Sequence, residues 1–283
     1  MNALLEISDL RLHYPRVGLR ATPPDVLRGV SLQIAAGETL GLVGESGSGK
    51  TTLGRAVLGL AEPSAGTILF DGADITHLSA KRRRPLAKDI QVIFQDPYSS
   101  LNPAMQIADI LAEPLVAQGA TAADARGSVR SLLDKVGLPA DAARRYPREF
   151  SGGQRQRVAI ARSLALQPRL IVCDEPVSAL DLTTQARVLD LLVDIQRETG
   201  VAYLFITHDL QVVRHVSHRI AVMYQGELVE TGSAAEVTSS PQNEYTRSLL
   251  LASPTADPDR QRERRELRNA LRANATDLVA QSR

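Results

Sequence analysis

Eight consecutive residues, Gly44-Glu45-Ser46-Gly47-Ser48-Gly49-Lys50-Thr51, followed by Thr52, have the residue types and spacing G-x-x-x-x-G-K-S/T of a phosphate-binding loop. Glycines at 44, 47 and 49 let the backbone turn so that successive N–H groups face phosphate oxygens, and a helix starting near Lys50 adds its positive dipole end. In that setting Lys50 reaches the β- and γ-phosphates and the Thr51 hydroxyl ligates Mg²⁺. The plain alternative is a Gly/Ser-rich turn that happens to precede a helix. The lysine, the threonine and the apolar run on the N-terminal side favour the phosphate loop.

A second candidate is the acid pair that ends Leu170-Ile-Val-Cys-Asp174-Glu175. The apolar residues bury a strand, Asp174 emerges to hold Mg²⁺ through water, and Glu175 polarises the attacking water. Such positioning is what phosphoryl transfer asks of a protein. Two acids meeting solvent at a strand end would be the better reading if the phosphate loop were absent. A third apolar run, Ala202-Tyr-Leu-Phe-Ile206, ends in Thr207-His208-Asp209. His208 is a possible donor to the γ-phosphate, although a lone strand-end histidine is more often structural.

Particular elements must position these groups. Thr39-Leu-Gly-Leu-Val43 is a short apolar run leading into the loop, and Lys50 to Leu60 has helical spacing, so the order is strand, loop, helix. The runs at 39–43, 170–173 and 202–206 carry polar residues at their C-terminal ends, as buried parallel strands do when ligands gather at the carboxyl edge of a sheet. Leu5, Ile7, Leu10 and Leu12, and then Val30, Leu32 and Ile34, predict two partly exposed strands at the start. Between Gln95 and Leu166, helical patterns at 107–115, 122–136 and 154–164 are separated by Pro/Gly punctuation. They predict a helical subdomain inserted into the α/β core.

The chain has 283 residues, 33 Lys+Arg against 32 Asp+Glu, and one cysteine. A net charge of +1 leaves no whole-molecule field for nucleic acid, so charge-driven binding must be local. Cys173 alone excludes an intramolecular disulfide framework and a Cys-based metal site, and fits a reducing compartment. No stretch reaches the ~18 apolar residues of a membrane span, and Glu6 and Asp9 stand where a signal peptide would be basic. Lys81-Arg-Arg-Arg84 and the seven arginines of residues 260–283 read as solvated surface, with anionic lipid or a partner subunit as the minor alternative.

With these motifs in order, the sequence resembles the ATP-binding subunit of an ABC transporter over residues 4 to about 252. Phe150-Ser151-Gly152-Gly153-Gln154-Arg-Gln-Arg157 carries the resemblance most strongly, because it looks like the signature of that family. The fold implied is a P-loop NTPase (RecA-like) α/β core with an antiparallel β subdomain and a helical subdomain inserted at about 96–166; a C-terminal extension covers 233–283. The resemblance also implies Tyr14 stacking on adenine, Gln95 ligating Mg²⁺ and sensing a membrane partner, Ser178 to Asp181 as the D-loop, and His208 as the switch histidine. Ser151 to Gln154 would close over an ATP held on the phosphate loop of a second, identical or homologous, ATP-binding subunit.

Two segments narrow the resemblance to dipeptide, oligopeptide and nickel importers: Phe94 to Pro103, and Ser240-Pro-Gln-Asn-Glu-Tyr-Thr-Arg-Ser-Leu-Leu250. The chain departs from that group in lacking the cysteine-containing stretch that usually follows. The implied partners are transmembrane permease subunits and, indirectly, an extracytoplasmic solute-binding protein, with no nucleic acid. The implied place is the cytoplasmic face of the cell membrane, peripherally held. A soluble ABC-type ATPase acting on ribosomes or DNA is the alternative; it would carry two motif sets or a long coiled-coil insert, and neither is visible. A nucleotide-gated module without turnover is disfavoured by Glu175 and His208.

Overall fold

Alternating burial in the first two strands accounts for the antiparallel sheet on which the chain opens. In β1 (Leu5–Leu12), Leu5, Ile7, Leu10 and Leu12 point inward, and the odd three-residue step from Ile7 to Leu10 is absorbed by a register shift against β2 (Leu27–Ile34). Asp9, with φ of 46°, sits in that bulge and returns Leu10 and Leu12 to the buried face. β4 (Ala65–Phe70) and β5 (Ala73–Asp74) complete a four-stranded sheet in the order β2-β1-β4-β5. The structure, a computed structural model, describes residues 3–14, 25–96 and 100–252.

The second sheet has six strands in the order β10-β9-β3-β8-β7-β6. β3 (Thr39–Val43), β6 (Ile90–Ile93), β7 (Leu170–Asp174), β8 (Ala202–Thr207) and β9 (Arg219–Tyr224) run parallel, and β10 (Glu227–Ser233) pairs antiparallel with β9. Both faces are covered. Leu204 and Ile206 of β8 join a core with Leu53, Ala56 and Val57 of α1 (Lys50–Leu58) and the four-stranded sheet. Tyr203 and Phe205 face the opposite core, with Leu189, Leu192 and Ile195 of a helix at 182–199. Burial on two sides makes these strands read as unbroken apolar runs.

Between β6 and β7 lie α3 (Ile107–Ala117), α4 (Ala122–Lys135) and α5 (Gly152–Leu164), matching the three helical patterns of the sequence. A short helix, α2 (Ala80–Arg83), precedes β6. α6 (Leu182–Thr199) and α7 (Leu210–Val216) follow β7 and β8, and α8 (Ala234–Ser239) and α9 (Glu244–Ala252) end the described chain. Thus two short helices, at 234–239 and 244–252, begin the extension. Ser233 and Glu236 form a reciprocal capping box there. The Arg-rich tail lies outside the described residues, as do 97–99 of the segment after Gln95.

Two expectations need correction. The helix expected over Lys50 to Leu60 stops at Leu58, because Gly59 turns left-handed at φ 71° and its N–H bonds Ala56 O, leaving Leu60 exposed. Arg83 is not solvated surface: its guanidinium donates to Val57 O at 2.9 Å and Ile75 O at 2.5 Å, tying the Lys81–Arg84 segment to α1. Gly41 of β3 lets α7 lie close, since a Cβ there would come within 2.6 Å of Ser217 Oγ and 2.9 Å of Val213 Cβ. Gly41→Ala should therefore cost about 1–3 kcal/mol through overpacking, measured as a lower midpoint in urea unfolding; an unchanged midpoint would show that α7 yields freely.

Candidate functional site

Four strand ends converge on one edge of the six-stranded sheet. Val43 pairs with Thr207, Asp174 with Ile206 and Ile93 with Cys173, so β3, β6, β7 and β8 stop nearly level and their following residues share one rim. From β3 the chain enters Gly44 to Gly49. Gly47 takes φ 83° with open space around its α-carbon, a conformation demanded by the turn rather than by a neighbour. Glu45, Ser46 and Gly47 are exposed, whereas Ser48, Gly49 and Lys50 are buried.

Lys50 curls back over the loop. Its Nζ donates to Gly44 O at 2.7 Å, Glu45 O at 2.9 Å and Ser48 Oγ at 3.4 Å. Burial lowers its pKa, partly opposed by the charges of Glu175, Asp174 and Glu45. Thr51 donates its hydroxyl to Asp174 Oδ1 at 3.0 Å, joining the helix start to the end of β7. Burial raises the Asp174 pKa, with the Thr51 hydrogen bond opposing it, Glu175 adding to it, and Arg55 and Lys50 opposing it. A carboxylate in that position favours an added cation.

Glu175 is the junction of the rim. It is a non-glycine residue at φ 49°, a backbone state that costs of order 1–3 kcal/mol and turns its side chain off the strand axis. Its N–H bonds Ile206 O at 2.9 Å, Oε1 meets His208 Nδ1 at 3.1 Å, and Oε2 accepts from Gln95 Nε2 at 3.3 Å. Residues following β6, β7 and β8 therefore meet on one carboxylate. Tyr14 lies at the other end of the loop, 43% exposed, with its hydroxyl 3.3 Å from Thr52 Oγ1.

The Ser151–Gln154 segment is built differently. Ser151 caps α5: its Oγ accepts from Gln154 N at 3.3 Å and its N–H donates to Gln154 Oε1 at 3.0 Å. Gly152 and Gly153 stand in the first turn, where backbone N–H groups have no partner within the helix. Gly153 is buried, and a Cβ there would fall 2.2 Å from Thr184 Cγ2, so α5 and the start of α6 are in close contact. Asp181 caps α6 by accepting from Thr184 N at 3.0 Å. α5 packs on α3, α4, α6 and β6, whereas α1 packs on β6, β7 and β8. The fold brings Tyr14, the loop, Gln95, Asp174, Glu175 and His208 to one region; Ser151 and Gln154 hydrogen-bond each other and not the loop.

Residues 27–178 match the ABC transporter family. The chain belongs to that family. A Brucella ovis protein named as a peptide import ATP-binding protein is 50% identical over 269 residues, covering 95% of this chain and 84% of that protein. The glutathione import ATP-binding protein GsiA of Salmonella paratyphi A is also 50% identical over 269 residues; the match covers 93% of this chain and 43% of GsiA. Among solved structures, cbiO1 from Clostridium perfringens, part of the ABC transporter complex cbiONQ, superposes with a TM-score of 0.76 at 28% identity, covering 88% of this chain and 96% of that one. The ATP-binding cassette MJ0796, solved as a dimer in a post-hydrolysis state bound to ADP and Pi, gives 0.72 at 28% identity, covering 81% and 98%.

For an ABC ATP-binding subunit the donors fit a Mg²⁺-nucleotide. Among the described residues no group of three or more His, Cys, Asp or Glu is placed to hold a metal alone. The oxygens of Thr51, Asp174 and Gln95 would share Mg²⁺ with phosphate and water, as this poorly dehydrated ion prefers. The sequence reading of the site missed Gly226, whose N–H bonds Ser48 O at 3.0 Å, and Tyr245, whose hydroxyl accepts from Glu45 N at 2.9 Å. Tyr245 stood in a recognised motif, but nothing local pointed it at the loop. Lys50→Ala should weaken ATP binding about ten- to hundredfold, the worth of its charge-assisted hydrogen bonds at roughly 1.5–3 kcal/mol. Equilibrium titration with a fluorescent ATP analogue measures it, and undiminished binding would refute the assignment of the loop.

Proposed function

We propose that this chain is the ATP-hydrolysing subunit of an ABC importer and drives uptake of peptides, or a related small solute such as nickel, through separate membrane permeases. The observation that carries the hydrolytic part is the Glu175 carboxylate, held between Gln95 and His208 beside the Thr51–Asp174 pair and the phosphate loop. The names of the 50% identical relatives support the importer and the peptide class. The soluble ATPase acting on ribosomes or DNA has no comparable support among them.

In this reading the loop amides and Lys50 bind the β- and γ-phosphates, and the Lys50 ammonium leaves the Gly44 and Glu45 carbonyls to do so. Tyr14 stacks on the adenine. Thr51, Asp174 and Gln95 would hold Mg²⁺, which would supply charge neutralisation for the phosphates. Glu175 orients the attacking water and takes its proton; His208, which meets the Glu175 carboxylate in the structure, donates to the γ-phosphate once nucleotide is bound. Ser151, Gly152, Gly153 and Gln154 of a second subunit cap the same nucleotide, so ATP closes a dimer and hydrolysis reopens it. Gln95 and the helices between β6 and β7 carry that motion to the permease.

Among the described residues no helix is long and apolar enough to cross a membrane. In this reading permease subunits hold the chain at the cytoplasmic face, with the solute-binding protein acting on the far side. Glu175→Gln should abolish turnover, lowering it by at least about a hundredfold for loss of a general base, while trapping an ATP-bound dimer on gel filtration. Adding Ser151→Arg to that variant should return it to monomer. A monomer at saturating ATP together with wild-type turnover in Glu175→Gln would sink the general-base role; a dimer indifferent to Ser151→Arg would sink the shared site.

A further inference from the structure

The phosphate loop is tied down by its own lysine, by the β9–β10 turn through Gly226 N and Ser48 O, and by one residue two hundred positions away. That residue is Tyr245, in α9 of the C-terminal extension. Among the described hydrogen bonds, Glu45 N to Tyr245 Oη at 2.9 Å is the only one that carries a loop N–H to a distant side chain. Glu45 and Ser46 are exposed.

The tyrosine is itself held from two sides. Its ring lies against Tyr224, with centroids 4.3 Å apart and planes tilted by 40°. Tyr224 ends β9, next to Met223, whose carbonyl closely abuts Gly44. On the other side, Glu230 of β10 accepts from Gln242 N at 2.8 Å and Asn243 N at 3.1 Å, and Asn243 Oδ1 accepts from Tyr245 N at 2.8 Å. A path of hydrogen bonds thus runs from β10 through the 242–245 segment to the loop.

We propose that Tyr245 is a positioning residue for nucleotide binding: its hydroxyl takes the Glu45 N–H and presets the first turn of the phosphate loop, and Glu230 keeps the tyrosine in place. The proposal rests on the reading of Gly44–Thr51 as the triphosphate site. An amide committed to the tyrosine fixes the direction of the next peptides, so less ordering remains to be done when phosphate arrives. The extension then acts on affinity for ATP rather than on the chemical step.

Tyr245→Phe keeps the ring and the α9 packing and removes only the hydroxyl. Titrating the purified full chain with a fluorescent ATP analogue should show affinity about two- to tenfold weaker than wild type, the value of one net hydrogen bond. KM for ATP should rise by the same factor with kcat unmoved. Glu230→Ala should give a loss of similar size, and the double variant no more than the larger single loss, because both act on one contact. Wild-type affinity in Tyr245→Phe, or losses that multiply in the double variant, would overturn the proposal. Lys50→Ala separates the two failures. If it binds as wild type does, the triphosphate site itself is wrong; if it fails to bind while Tyr245→Phe binds normally, only the role of the tyrosine falls.

Discussion

Burial of both faces of the six-stranded sheet is the constraint on which the site depends. Inside β3, β7 and β8 every side chain is committed to one core or the other, Leu204 and Ile206 to one and Tyr203 and Phe205 to its opposite. Polar groups can appear only where a strand ends and the backbone leaves the sheet. Level strand ends then place the phosphate loop, Asp174, Glu175 and His208 along one rim without any further device. The helical layer and the antiparallel sheet serve this arrangement by keeping water off the two faces.

Charge along that rim is balanced within the protein. Lys50 is buried and would be costly without partners, and it finds them in the Gly44 and Glu45 carbonyls and the nearby carboxylates. Asp174 in turn relies on Thr51. In the proposed function each of these interactions is exchanged for one with a phosphate or a divalent cation, so ligand entry replaces contacts rather than exposing bare charges. Glu175 is bound by the neutral Gln95 amide and by the His208 ring.

Much of this was legible in the sequence where the signal is local. The loop spacing, the apolar runs that end in acid or histidine, and the helical periods at 107–115, 122–136 and 154–164 each concern neighbours in the chain, and the structure contains the corresponding elements. The roles assigned to the site residues remain proposals. What escaped the sequence is of two kinds. Backbone states such as φ 49° at Glu175 are imposed by the sheet and carry no residue signature, since glutamate has no preference for them. Contacts such as Tyr245 to Glu45 join positions whose separation gives periodicity nothing to detect. Helix α6 did carry a signal, Asp181 ahead of an amphipathic run through Leu189, Leu192 and Ile195, that the sequence reading passed over.

The missing side chain at position 153 has a mechanical outcome. With Thr184 filling the space where a β-carbon would stand, the beginnings of α5 and α6 mesh like adjacent gear teeth and have no clearance to slip. A torque applied to the helices between β6 and β7 would be delivered at Asp181 as well as at Ser151, so the two loops would swing together as a single jaw.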